Sequence, residues 1–188
     1  MAIRGRASRR TGGTAAAGFI IAICFYHSVA GNDASSPGAD APAVRPVGFV
    51  SDAPVIRQIG DRALYLGNKH AARPDTHDQT FDYVLSATSE VYPLTTAHHP
   101  LTDGPGNEWA AFEAAVDTAR RFVRADGPAL IHCKAGVSRS STLLATALAA
   151  EEGRPLADAL ADVQAVRPIA TPNPALYELA VIYLAADH

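Results

Sequence analysis

Cys133 is one of only two cysteines in the 188-residue chain, and it stands six positions before Arg139 in the run His132–Ser141, HCKAGVSRSS. A thiol acts as a nucleophile in its thiolate form, which a nearby cation or a helix N-terminus favours near neutral pH. Arg139 offers a planar fork of N–H donors that matches two oxygens of a phosphate, as a lysine cannot. Gly136, between the two, permits a positive φ or a close approach of main chain to ligand that a side chain would obstruct. A nucleophile, a glycine-containing turn and a bidentate cation at this spacing imply phosphoryl transfer to cysteine.

The elements around the run are those such a site needs. Asp126, Gly127 and Pro128 make a turn, and Ala129, Leu130 and Ile131 form a short apolar stretch suited to a buried strand ending near Cys133. From Ser140 onward STLLATALAAEE holds strong helix formers without Gly or Pro, so a helix is expected to begin near Ser138. Strand, tight loop and helix N-terminus then follow within about a dozen residues. The backbone N–H groups of Lys134, Ala135, Gly136, Val137, Ser138 and Arg139 can turn inward as a concave anion site, reinforced by the positive end of the helix dipole.

The segment resembles the signature of the cysteine-dependent protein phosphatases, Cys-x5-Arg followed by Ser or Thr. Its fuller form, His-Cys-x-x-Gly-x-Ser-Arg-Ser, is similar to the dual-specificity branch. Leu64-Tyr65-Leu66-Gly67-Asn68 is similar to that family's opening strand, and Pro172-Asn173 falls where its members often carry Pro-Asn before the last helix. The resemblance covers residues 50 to 186. It implies a general acid about thirty residues before the cysteine, because an alkoxide or phenoxide leaves poorly without a proton. Asp103, within HHPLTDGPGNEW, is the best match. Glu108, His98 and His99 are its rivals, and the plainer reading of Asp103 is a loop residue capping the next helix.

The resemblance also implies that Ser140 hydrogen-bonds the sulfur. The reaction it implies has two steps: Cys133 attacks phosphorus while Asp103 donates a proton, and Asp103 then activates the water that hydrolyses the phosphocysteine. No metal or other cofactor is called for, and neither a cluster at metal-ligand spacing nor a nucleotide-binding Gly-rich loop is present in the sequence. His132 reads as a support for the loop rather than a proton-transfer group. Lys134 either attracts anionic substrates or is a solvated loop lysine. Asn173 before Pro174 has the form of an N-cap and first helical residue, with support of the site as its other reading. Tyr65 and Trp109 read as packing residues.

Strands are expected at about 54–59, 63–66, 81–87 and 129–133, and helices near 108–125, 138–152, 155–166 and 174–186. Early strands, late helices and a long crossover between the last two strands indicate an α/β fold, a mainly parallel central sheet flanked by helices. By resemblance it is protein-tyrosine-phosphatase-like, with the active-site loop between the last parallel strand and a helix. Such sheets place ligands at the carboxyl ends of their strands. Residues 48–188 are expected to be the catalytic domain, with no internal repeat.

Residues 1–47 differ in kind. Arg4, Arg6, Arg9 and Arg10 precede an apolar stretch from Ala15 to Tyr26, and Ser28-Val29-Ala30 has the small residues of a cleavage site. Residues 1–30 fit a secretory signal peptide better than a membrane span, because the apolar core is short. Residues 31–47 read as a flexible linker. A second reading is a start placed too early, since Met1 is the only methionine and Val44 or Val47 could begin translation at a GUG codon. A free-thiol nucleophile works most simply in a reducing cytoplasm, which favours the second reading over export.

The chain carries 16 Lys plus Arg against 19 Asp plus Glu, for a net charge of −3. Four of the arginines lie in the first ten residues, so the rest is more acidic still and contains just two lysines. That balance argues against general nucleic-acid binding and docking to anionic membranes. A monomer acting on phosphorylated proteins, at phosphotyrosine and phosphoserine or phosphothreonine, is the expectation. A phospholipid or an RNA 5′ end is the alternative substrate, and a non-catalytic phospho-binding module or a sulfurtransferase the alternative class.

Overall fold

The structure, a computed structural model, describes residues 50–186. The arginine-rich start, the apolar stretch, Cys24 and the linker to residue 47 lie outside the described residues. Five strands form one sheet: β1 (Ile56–Gln58), β2 (Leu64–Gly67), β3 (Tyr83–Ser86), β4 (Ala97–His98) and β5 (Ala129–His132). Their spatial order is β1-β2-β5-β3-β4, with β1 antiparallel to β2 and every other pair parallel. The last strand in sequence is therefore the middle strand in space. All four of its residues are buried, as a continuous apolar run in a parallel sheet requires.

Among the described residues four helices flank the sheet: α1 (Trp109–Val123), α2 (Arg139–Glu152), α3 (Leu156–Val166) and α4 (Pro174–Ala186). In α1, Phe112, Ala115, Val116 and Ala119 recur at helical spacing and face the core. Helix α2 is buried on all sides from Ser140 to Ala149, packed by α1, α3 and α4. Its small Ala, Ser and Thr residues let three helices approach closely, and Gly153 ends it in a left-handed conformation at φ 59°.

Alternation along β5 divides the interior into two cores. Ala129 and Ile131 point into the helix-side core that also holds Cys133, whereas Leu130 packs with Ala71, Ala72, Val84 and Tyr92 on the opposite face. His132 follows Leu130 to that second side, where Tyr92 meets its ring edge-on with centroids 5.4 Å apart.

Two elements escape the sequence pattern. A 3-10 turn, Lys69–Ala72, follows β2, and the two-residue strand β4 pairs with Leu85 and Ser86 before the chain crosses over to α1. Both are too short to show a hydrophobic period. The expected strands at 54–59 and 81–87 are observed as shorter β1 and β3. Among the described residues no helix is long and apolar enough to cross a membrane.

Candidate active site

The loop from Cys133 to Ser138 joins the carboxyl end of the central strand to α2, and the carbonyl oxygens of Lys134 through Ser138 all accept hydrogen bonds. Lys134 O accepts from the Lys69 amide at 3.3 Å, Val137 O from the Thr171 amide at 2.9 Å and Ser138 O from the Thr142 amide at 2.9 Å. Ala135 O and Gly136 O accept from the Arg167 side chain, at 3.4 Å from Nη2 and 3.3 Å from Nε. In a planar trans peptide the N–H lies opposite the C=O, so the amides of Ala135 through Arg139 face the inside of the loop. An anion seated there would meet N–H groups and the start of α2.

Gly136 enables the tight course. Its φ is 66°, and a Cβ would stand 2.9 Å from Gly67 O and 3.0 Å from Gly67 C. Both a positive φ and a backbone wall exclude a side chain here. The wall is the end of β2, whose Gly67 carbonyl also accepts from the Cys133 amide at 3.3 Å.

Cys133 is 2% exposed, and its Sγ lies 3.2 Å from Ser140 Oγ. Burial pushes its thiol up. The Arg139 guanidinium, the Ser140 hydroxyl and the amides of Ser140 and Val137 act in the opposite direction and hold it below the ordinary thiol range. Arg139 is anchored through Nη1, which donates to Ala87 O and Leu101 O at 3.1 Å each. Its Nε is buried and has no partner among the described residues. A donor so placed is available to an oxyanion beside the sulfur.

Asp103 does not cap α1. Glu108 occupies the N-cap position there and makes no side-chain cap bond. The Asp103 carboxylate instead accepts from Ser138 Oγ at 2.6 Å, which ties its exposed loop to the loop that carries Cys133. Asn173 closes the link, donating from its backbone amide to Ser138 Oγ at 2.9 Å and from Nδ2 to Asp103 O at 3.3 Å. Its Oδ1 accepts from the Ala175 amide at 3.1 Å, so Asn173 also caps α4. Among the rival acids, His98 Nε2 contacts Thr88 O at 2.8 Å and His99 Nε2 contacts Thr118 Oγ1 at 3.0 Å. Both Nε2 atoms are thus engaged with other groups.

His132 is fully buried, with Nε2 2.5 Å from Ser86 Oγ and Nδ1 3.4 Å from Cys133 O. A carbonyl only accepts, so Nδ1 carries the proton and Nε2 accepts from Ser86, whose oxygen in turn accepts from Thr95 Oγ1 at 2.6 Å. Burial pushes its pKa down to about 4, and the neighbouring Arg139 adds to the effect. A neutral ring braced in this way supports the strand end and is poorly suited to proton transfer at neutral pH.

Arg167, Ser86, Thr95 and Lys69 take part in this arrangement without any sequence signal. Arg167 lies beyond α3, far from the loop in sequence, and only the packing of the Arg167–Asn173 segment against the loop brings it near. Beside the site, Lys69, Thr88, Ser89, Glu90, Tyr92, Lys134 and Arg139 line a cleft of about 280 Å³. Among the described residues there is no group of three or more His, Cys, Asp or Glu placed to hold a metal ion.

A mainly parallel sheet that ends its middle strand in a cysteine loop, with an arginine opening the next helix, defines an α/β protein of the protein-tyrosine-phosphatase-like class. The chain belongs to the dual specificity phosphatase catalytic-domain family, which it matches over residues 64–181. It is 40% identical over 125 residues to dual specificity protein phosphatase 1 of Arabidopsis thaliana, covering 60% of this chain and 61% of that protein. It is 35% identical over 79 residues to human dual specificity phosphatase 28, covering 42% of this chain and 45% of that one. The matches thus span roughly half the length of these curated relatives. The crystal structure of human DUSP28 aligns with a TM-score of 0.61 at 26% identity, over 71% of this chain and 97% of that chain.

Proposed function

We propose that the protein hydrolyses phosphomonoesters through a cysteinyl-phosphate intermediate, acting on phosphotyrosine and on phosphoserine or phosphothreonine in proteins. Residues 48–188 are assigned as the catalytic domain. The observation that supports the reading is the placement of the buried Cys133 Sγ 3.2 Å from Ser140 Oγ, at the start of a loop that ends in Arg139, whose buried Nε has no partner among the described residues.

In the first step Cys133 Sγ attacks phosphorus in line, the bond to the leaving oxygen breaks, and Asp103 gives that oxygen its proton. Arg139 and the inward amides of Ala135 through Arg139 stabilise the charge on the equatorial oxygens. In the second step Asp103, now ionised, takes a proton from water as the water attacks phosphorus. The S–P bond breaks while Ser140 donates to the departing sulfur. Ser138 and Asn173 position Asp103, and His132 supports the strand end. These groups supply the nucleophile, the acid and the compensating charge from the chain itself.

The test is turnover of para-nitrophenyl phosphate and of phosphopeptides by the full chain, with reductant and chelator present. Cys133→Ser should be inactive. Asp103→Asn should lose about 100- to 10,000-fold on phosphoserine, the range of a general acid, and much less on the good leaving group para-nitrophenolate. A wild type that binds vanadate without turnover would make the domain a phospho-binding module. Equal losses of Asp103→Asn on both leaving groups would remove Asp103 as the acid.

A further inference from the structure

The chain contains two lysines, Lys69 and Lys134, and both line the cleft beside Arg139. They come from separate elements, the start of the 3-10 turn and the cysteine loop, held together by the Lys69 amide donating to Lys134 O at 3.3 Å. Elsewhere on the acidic surface, Arg62, Arg120, Arg124 and Arg154 are each committed to a carboxylate. Neither lysine ammonium has a hydrogen-bond or ion-pair partner among the described residues. The cleft holds one acid, Glu90, whose carboxylate accepts from the Tyr92 hydroxyl at 3.5 Å. Lys69, Lys134 and Arg139 outnumber it, so the cleft is a positive spot on a negative protein.

We infer that Lys69 and Lys134 form a second anion subsite, and that the preferred substrate is a phosphopeptide with a further negative group, a carboxylate or second phosphate, next to the phosphoresidue. The inference rests on the phosphatase reading for the position of the scissile phosphate at Arg139. The second group would then lie toward Lys134 and Lys69, in the cleft that Ser89 also lines. A cleft of about 280 Å³ suits one side chain rather than a larger ligand. Glu90 and the acidic surface beyond it disfavour approach to an anionic bilayer, so a peptide fits better than a lipid surface.

The experiment compares kcat/KM of the full chain on phosphopeptide pairs that differ only in Asp or phosphoserine against Asn or Ser beside the phosphoresidue. Exposed ion pairs support a preference of about fivefold for the acidic member. The ratio should fall toward one in Lys69→Gln, persist in Lys69→Arg, and shrink at high salt. A ratio near one in the wild type, a ratio that survives Lys69→Gln, or faster turnover of phosphoinositide vesicles than of any peptide would overturn the inference. Calorimetric titration of the same pairs against Cys133→Ser reads the subsite without turnover. An inactive wild type whose Cys133→Ser form still prefers the acidic peptide would lose the phosphatase reading and keep the subsite, whereas equal affinities would remove the subsite alone.

Discussion

Replacing Ser140 by alanine removes a single oxygen, 3.2 Å from the Cys133 sulfur, inside a fully buried pocket. A hydrogen bond to a charged acceptor contributes about 1.5–3 kcal/mol. Its loss therefore raises the thiol pKa. Arg139 and the amides of Val137 and Ser140 remain, so part of the downward shift survives. The rate of inactivation by iodoacetamide as a function of pH reads the thiolate directly, and its midpoint should move to higher pH. The same 1.5–3 kcal/mol slows departure of the sulfur about 10- to 100-fold, because the hydroxyl no longer stabilises the leaving thiolate. Stopped-flow turnover of para-nitrophenyl phosphate by Ser140→Ala should therefore begin with a burst approaching one para-nitrophenolate per enzyme. Superimposable alkylation profiles for wild type and variant, with no burst, would refute the assigned role of the hydroxyl.

Gly136→Ala sets a Cβ against the Gly67 carbonyl at a φ of 66°. The left-handed conformation alone costs about 1–2 kcal/mol, and the contact adds to it, so chemical denaturation should show a loss of about 2 kcal/mol or more together with lost activity. His132 is depressed to about 4, below its unfolded value near 6.5, so the unfolded state binds the extra proton first. Its contribution is complete above pH 6.5 and is lost as pH falls toward 4. Between pH 6.5 and 5 it should remove about 1.5 kcal/mol of stability, a slope that urea titrations of His132→Gln should lack. Ser138→Ala frees the Asp103 carboxylate from its 2.6 Å bond, and kcat should fall several-fold more on phosphoserine than on para-nitrophenyl phosphate. Equal effects on the two substrates would mean that Ser138 acts on the loop fold and not through Asp103.

The chemistry-bearing run from His132 to Ser141, the strand before it and the helix after it were legible from residue order, because strand, glycine turn and helix start are local properties of a dozen residues. The extent of α3 and α4 could be read for the same reason. The tertiary structure alone decided what surrounds that run. Arg167 draws two loop carbonyls outward, Ser138 and Asn173 tie Asp103 to the loop, and Ser86 with Thr95 braces the buried ring of His132. Each of these contacts joins residues 31 or more positions apart, with the exception of the Ser86–Thr95 bond at nine. Lys69 and Lys134 are likewise unremarkable apart in sequence and meet only because β2 lies beside β5. Hydrophobic period and turn chemistry act over a few residues and leave a trace in the sequence. Hydrogen bonds between distant segments depend on strand order and on the packing of helices across the sheet, and neither has a local signature.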